Sequence, residues 1–206
     1  MIGVLDYGLG NVSAFVNLYR RSGIPVQVIT KPEQITKASK LILPGVGAFD
    51  TAMTRLNQSR LRDSLEKAVL VRKVPILAVC VGMQILSERS EEGVLEGLGW
   101  IEGSVAKLSS CDNPKAKYRI PHLGWNSIKI VRASPVFTEL NSARFYFLHS
   151  YEFMARRSED VLALTKYTTE FASVVRRSNI LGVQFHPEKS HIHGVKLLEN
   201  FWLEDF

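Results

Sequence analysis

Short aliphatic runs recur through the first half of the chain: Ile2-Gly3-Val4-Leu5, Val26 to Ile29, Leu41-Ile42-Leu43 and Ile76-Leu77-Ala78-Val79. Each is strand-like in length and in its β-branched or aliphatic content. Between them the apolar positions change period. Val12, Phe15, Val16 and Tyr19 fall at helical spacing, and Leu61, Leu65, Ala68 and Val69 make a second stripe. Strand alternating with helix predicts an α/β fold with a mostly parallel central sheet covered by helices on both faces.

Beyond Gly99 the texture differs. Strand-like segments are expected around Trp100 to Leu108, Ile128 to Val131, Phe145 to Leu148, Val161 to Leu164 and Val174-Val175, with few helical stripes. This predicts an antiparallel β extension in the second half. The chain closes with Leu181 to Phe185 as a strand and an amphipathic helix carrying Val195, Leu198, Phe201 and Trp202. At 206 residues, without repeat, linker or low-complexity stretch, a single domain over 1–206 is expected.

Composition narrows the class. Hydrophobic residues at 46% and charged residues at 22% support a core and argue against disorder. The formal charge of +6 is scattered in ones and twos, as in Arg20-Arg21, Arg156-Arg157 and Arg176-Arg177. Without a basic run or an interleaved aromatic platform, nucleic acid is not an expected partner. No apolar stretch approaches the roughly 18 residues of a membrane span. Met1 leads straight into a strand with no basic leader, so a cytoplasmic protein with no membrane partner is expected. Cys80 and Cys111 make no CxxC pair, which argues against a disulfide framework or zinc site. Cys111 lies in the polar stretch Ser109 to Pro114 and is assigned no role. His191 and His193 follow His186, but no thiolate or carboxylate completes a metal set, so neither metal nor cofactor is expected.

Cys80 ends an aliphatic strand, and Val81 to Leu86 reads as the start of a helix. A nucleophile elbow needs small residues two before and two after the nucleophile because the turn is sharp, and Ala78 and Gly82 meet that need. A helix start beneath the sulfur also favours thiolate. A base and an orienting carboxylate occur together in Gln184-Phe185-His186-Pro187-Glu188, where a short proline turn brings Glu188 back to His186. The third piece is Leu43-Pro44-Gly45-Val46-Gly47-Ala48-Phe49, a strand end opening into a glycine-bearing loop. Its N–H groups, with that of Val81, suit an oxyanion hole. Each piece alone has an ordinary alternative: a core cysteine, a surface histidine, a plain turn.

Together they resemble the class I, triad-type glutamine amidotransferases, over essentially the whole chain. Within that family the likeness is greatest to the branch formed by glutaminase subunits of imidazole glycerol phosphate synthase. The shared motifs are Asp6-Tyr7-Gly8, Pro44-Gly45-Val46-Gly47, the Cys80-x-Gly82-Met83-Gln84 elbow, Pro121 to Asn126, Phe145 to Tyr151, and Gly182 to Ser190. One departure is visible: Ala78, Val79 and Val81 stand where the family usually has Gly-Ile before the cysteine and Leu after it. The resemblance implies a flavodoxin-like sheet and a Cys80, His186, Glu188 triad that releases ammonia from L-glutamine through a thioester. It further implies an oxyanion site at Val46, Gly47 and Val81, and glutamine contacts at Gly45, Gln84, Glu92, His149, Ser150 and Tyr151. The implied partner is a (β/α)8-barrel cyclase subunit in a heterodimer of histidine biosynthesis, met by Trp125, Asn126 and Tyr146. Two alternatives stay open: a paralogue feeding ammonia to a synthase that amidinates a surface-polysaccharide sugar, and a non-catalytic binding module on the same fold.

Overall fold

The four aliphatic runs are strands in the computed structural model, which describes residues 1–109 and 119–205. They are β1 (Ile2–Leu5), β2 (Val26–Ile29), β3 (Lys40–Leu43) and β4 (Ile76–Val79). The second half supplies β5 (Arg89–Ser90), β6 (Gly103–Lys107), β7 (His122–Ser127), β8 (Lys129–Ile130), β9 (Arg144–His149), β10 (Tyr151–Ala155), β11 (Val161–Lys166), β12 (Glu170–Arg177) and β13 (Ile180–Val183). The helices are α1 (Val12–Arg21), α2 (Pro32–Ile35), α3 (Phe49–Gln58), α4 (Arg62–Glu66), α5 (Val81–Gln84) and α6 (His191–Leu203).

The main sheet runs β2-β1-β3-β4-β13-β12-β10-β6-β5, with β11 and β8 branching from β12. From β2 to β13 every pairing is parallel; β12, β10 and β6 then pair antiparallel, as the change of texture after Gly99 predicts. The β1-to-β2 connection moves one way along the sheet, and the connections to β3 and β4 move the other way. Right-handed crossovers therefore lay α1 on one face and α2 to α4 on the other. The packing agrees: α1 meets α6, where Tyr19 Oη donates to the Leu198 carbonyl at 3.4 Å, and α2 meets α4. Leu61, Leu65, Ala68 and Val69 are all fully buried, on α4 and the π-helical turn Lys67–Val71 that continues it.

Several boundaries differ from the sequence reading. The strand expected from Trp100 starts at Gly103, and β13 stops at Val183, leaving Gln184 and Phe185 in the loop. Five elements had not been marked: α2, α3, β5, β7 and β10. β7 and β9 form a separate two-stranded sheet in which His122 faces His149 and Trp125 faces Tyr146. It is fastened to the main sheet where the His186 N–H donates to the Tyr146 carbonyl at 2.8 Å. Cys111 lies outside the described residues. Among the described residues no helix is long and apolar enough to cross a membrane.

The register brings three exits together. Ala78 pairs with Leu43 on one side and Gly182 on the other. The loop after β3, the elbow after β4 and the segment after β13 thus leave from one edge, the carboxyl edge of the parallel strands, where open α/β sheets gather their sites.

Candidate active site

Cys80 sits at the expected elbow with φ 55° and ψ −114°, a left-sided backbone that costs a side-chain-bearing residue about 1–3 kcal/mol. The turn is held on both sides. The Cys80 N–H donates to the Val183 carbonyl at 2.8 Å, and the Gln84 N–H to the Cys80 carbonyl at 3.1 Å. Gly82 is required because a Cβ there would lie 2.4 Å from the Leu43 carbonyl oxygen; a Cβ on Gly45 would lie 2.2 Å from the Gly82 nitrogen. The elbow and the loop after β3 are thus packed backbone against backbone. The helix expected to run to Leu86 is only the four residues of α5. Its dipole is correspondingly small, so the groups around the sulfur matter more than the helix.

Those groups are His186, Gln184 and a carbonyl. His186 shares the cleft with Cys80, and its Nδ1 lies 2.8 Å from Glu188 Oε1. Gln184 Nε2 lies 3.9 Å and the Leu148 carbonyl 3.8 Å from Cys80 Sγ. His186 and Glu188 are almost fully buried, which opposes charge on the imidazole, but the hydrogen bonds and negative charges of Cys80 and Glu188 outweigh burial and raise its pKa to about 10. The second oxygen of Glu188 is buried without a hydrogen-bond partner.

Cys80 and His186 border a cleft of about 360 Å³, with Glu188 behind the imidazole. Val46, Gly47 and Val81 line one part of it; Gln84, Glu92, His149, Ser150 and Tyr151 line the rest. Gly45 is beneath the lining, packed on Gly82. Pro121, Leu148 and Lys189 also line the cleft, and Gln184 stands behind it; the sequence reading had named none of these for the site.

Gln84 can be oriented by counting donors. Its Nε2 donates to the Tyr151 carbonyl at 3.1 Å and to Gln184 Oε1 at 3.2 Å, which occupies both N–H groups. Its Oε1 is left as the acceptor. Glu92 accepts the Phe49 N–H at 2.8 Å, and Asp50 accepts the N–H groups of Val94 and Leu95, so the loop carrying Glu92 is pinned to the start of α3. Tyr7, in the Asp6-Tyr7-Gly8 motif after β1, donates to the Pro44 carbonyl at 2.7 Å and supports the loop opposite the elbow.

Trp125, Asn126 and Tyr146 do not line the cleft; they lie on the β7–β9 pair beside it. Trp125 is 39% exposed and stacks on His191 at 5.2 Å, so it is not a core aromatic. Leu123 and Leu148, paired across the two strands, are exposed as well. Asn126 instead turns its amide to His122 and the Lys166 carbonyl. His193 Nδ1 is taken up by the backbone of Arg144. Among the described residues no group of three or more His, Cys, Asp or Glu side chains is placed to hold a metal.

Comparison with known proteins gives this geometry a family. The subunit HisH of imidazole glycerol phosphate synthase from Bdellovibrio bacteriovorus is 50% identical over 202 residues, covering 98% of each chain. The protein of the same name from Leptospira interrogans is 45% identical over the same span and coverage. Among solved structures, a glutamine amidotransferase superimposes with a TM-score of 0.73 at 21% identity, covering 98% of this chain and 97% of the other. PurLQS from Thermotoga maritima gives 0.72 at 17% identity, covering 98% of each, so both show the same fold. The family model for class-I glutamine amidotransferases matches residues 3–204, and this chain, an enzyme, belongs to that family.

Proposed function

We propose that the chain is the glutaminase subunit of an imidazole glycerol phosphate synthase, one domain over residues 1–206, which hydrolyses L-glutamine and hands the ammonia to a cyclase subunit. The observation that carries this is Cys80, on a strained elbow, in one cleft with an imidazole that Glu188 holds, in a chain half identical to a HisH subunit.

In this reading Cys80 is the nucleophile. Its sulfur attacks the carboxamide carbon of glutamine, forming the C–S bond, while the N–H groups of Val46, Gly47 and Val81 receive the developing oxyanion. His186 gives its proton to the departing nitrogen, the C–N bond breaks, and ammonia leaves a glutamyl thioester. A water then loses a proton to His186 and adds to the thioester; the C–S bond breaks and Cys80 departs as thiolate with His186 again protonated. Glu188 keeps the imidazole in one tautomer and stabilises its positive form. Gln84 Oε1 and the Glu92 carboxylate receive the substrate's ammonium group, while the backbone from His149 to Tyr151 forms the facing wall.

Ammonia released into neutral water is mostly protonated and no longer nucleophilic, so direct delivery to a docked synthase follows from the chemistry. The exposed Leu123, Trp125 and Leu148 beside the cleft support a docking face there, with Asn126 and Tyr146 at its border. We assign the partner a (β/α)8-barrel fold and the pair to the cytoplasm. A glutamine-mimicking alkylator tests the site: it should label Cys80 alone, with protection by L-glutamine. Labelling of another residue, or no protection, would contradict the assignment.

A further inference from the structure

Asn126, His122, His149, the Tyr151 carbonyl and Gln84 form an unbroken hydrogen-bonded line from the β7 edge to the glutamine cleft. Asn126 Nδ2 lies 3.3 Å from His122 Nε2, His122 Nδ1 lies 3.0 Å from His149 Nε2, and His149 Nδ1 lies 2.8 Å from the Tyr151 carbonyl oxygen. We infer that His122 and His149 are positioning residues for glutamine binding: together they fix the Tyr151 carbonyl, and through it the Gln84 amide, in the orientation that receives substrate. This rests on the glutaminase reading of the cleft.

The direction of the line follows from donor counting. A carbonyl oxygen only accepts, so His149 Nδ1 carries the proton. In a neutral ring Nε2 is then an acceptor, and His122 Nδ1 must donate to it. His122 Nε2 becomes the acceptor in turn, which the Asn126 amide satisfies while its other N–H goes to the Lys166 carbonyl at 3.0 Å. For two neutral rings only this arrangement satisfies every contact. His122 cannot easily turn away, because its ring is stacked on Phe147 at 4.7 Å and on Tyr167 at 3.9 Å.

The last link is shared. The Tyr151 carbonyl accepts both His149 Nδ1 and Gln84 Nε2, and the second Gln84 N–H is spent on Gln184. Without the His122 donor, the His149 Nε2 lone pair is left buried and unpaired, and a turn of the ring toward another donor breaks the 2.8 Å contact that fixes the carbonyl and Gln84. The loss falls on substrate binding, since neither histidine is bonded to Cys80 or His186.

The test uses the full chain carrying Cys80→Ala, with L-glutamine affinity by calorimetry and histidine tautomers by nitrogen-15 spectra. His122→Phe keeps the stacking and removes the donor; it should weaken glutamine binding about tenfold and shift the His149 Nε2 resonance to that of a nitrogen without a hydrogen bond. His122→Asn, whose amide nitrogen reaches the Nδ1 position, should bind within about twofold of the parent. If His122→Phe fails to fold, Asn126→Ala carries the same prediction at about threefold. An unchanged His149 Nε2 resonance in His122→Phe, or equal weakening in both His122 variants, overturns the inference. Absence of glutamine binding in the Cys80→Ala chain itself would instead strike at the glutaminase reading, and the nitrogen spectra would still decide the relay.

Discussion

Cys80 occupies a backbone conformation that suits glycine, and the cost is tolerated because the turn exposes its sulfur to the cleft. Cys80→Gly should therefore be more stable than Cys80→Ala by about 1 kcal/mol, and both should lack glutaminase activity. Urea melts of the two variants check this; equal stability would mean the elbow is unstrained. A second prediction concerns acid. Burial lowers the pKa of His122 to about 4; burial, with the nearby histidine charges, lowers that of His149 to about 3 despite its bond to the Tyr151 carbonyl. Between the unfolded value near 6.5 and those folded values, the unfolded chain takes up protons that the folded chain refuses. Stability should fall as pH drops through this window, by about 1.4 kcal/mol per unit for each histidine. Melts at pH 7 and pH 5 read the slope, and His122→Phe should roughly halve it. Cys80, His186 and Glu188 were legible in the chain because the elbow and the proline turn are local patterns. Gln184 and the His122–His149 pair were not, because their roles arise from a strand register that joins residues far apart in sequence.

The site depends on two backbones pressed together where β3 and β4 end. Gly82→Ala should push the elbow off the Leu43 carbonyl, costing about 1–3 kcal/mol of stability and most of the activity. Thermal melts and glutamate release measure the two effects, and a fully active, stable variant would refute the close approach. The parallel strands β1 to β4 could be read because aliphatic runs bounded by helical stripes have few other uses. β7, His-Leu-Gly-Trp-Asn-Ser, has almost no β-branched content and was missed; pairing with β9 makes it a strand. The miss at α3 was avoidable, since Phe49, Ala52, Met53 and Leu56 stand at helical spacing and all are buried.

Across the whole molecule, β1, β3, β4 and β13 each send a loop to the same edge: the Tyr7 support, the glycine loop, Cys80, and His186 with its Glu188 partner. The alternation of elements foretold a parallel sheet, but the order that sets β13 beside β4 was not readable from segments separated by the entire antiparallel extension. That extension also carries the β7–β9 pair, placing exposed apolar side chains next to the cleft mouth. An enzyme built this way should be nearly idle alone and active when a partner covers that face. The most direct test is glutamate release from L-glutamine by the chain and its Cys80→Ala variant, each with and without the cyclase subunit and that subunit's own substrate. The account predicts release that rises at least about tenfold with the loaded partner and vanishes in the variant. Release that ignores the cyclase would move the enzyme to another synthase, and release that survives Cys80→Ala, or is absent under every condition, would contradict the account.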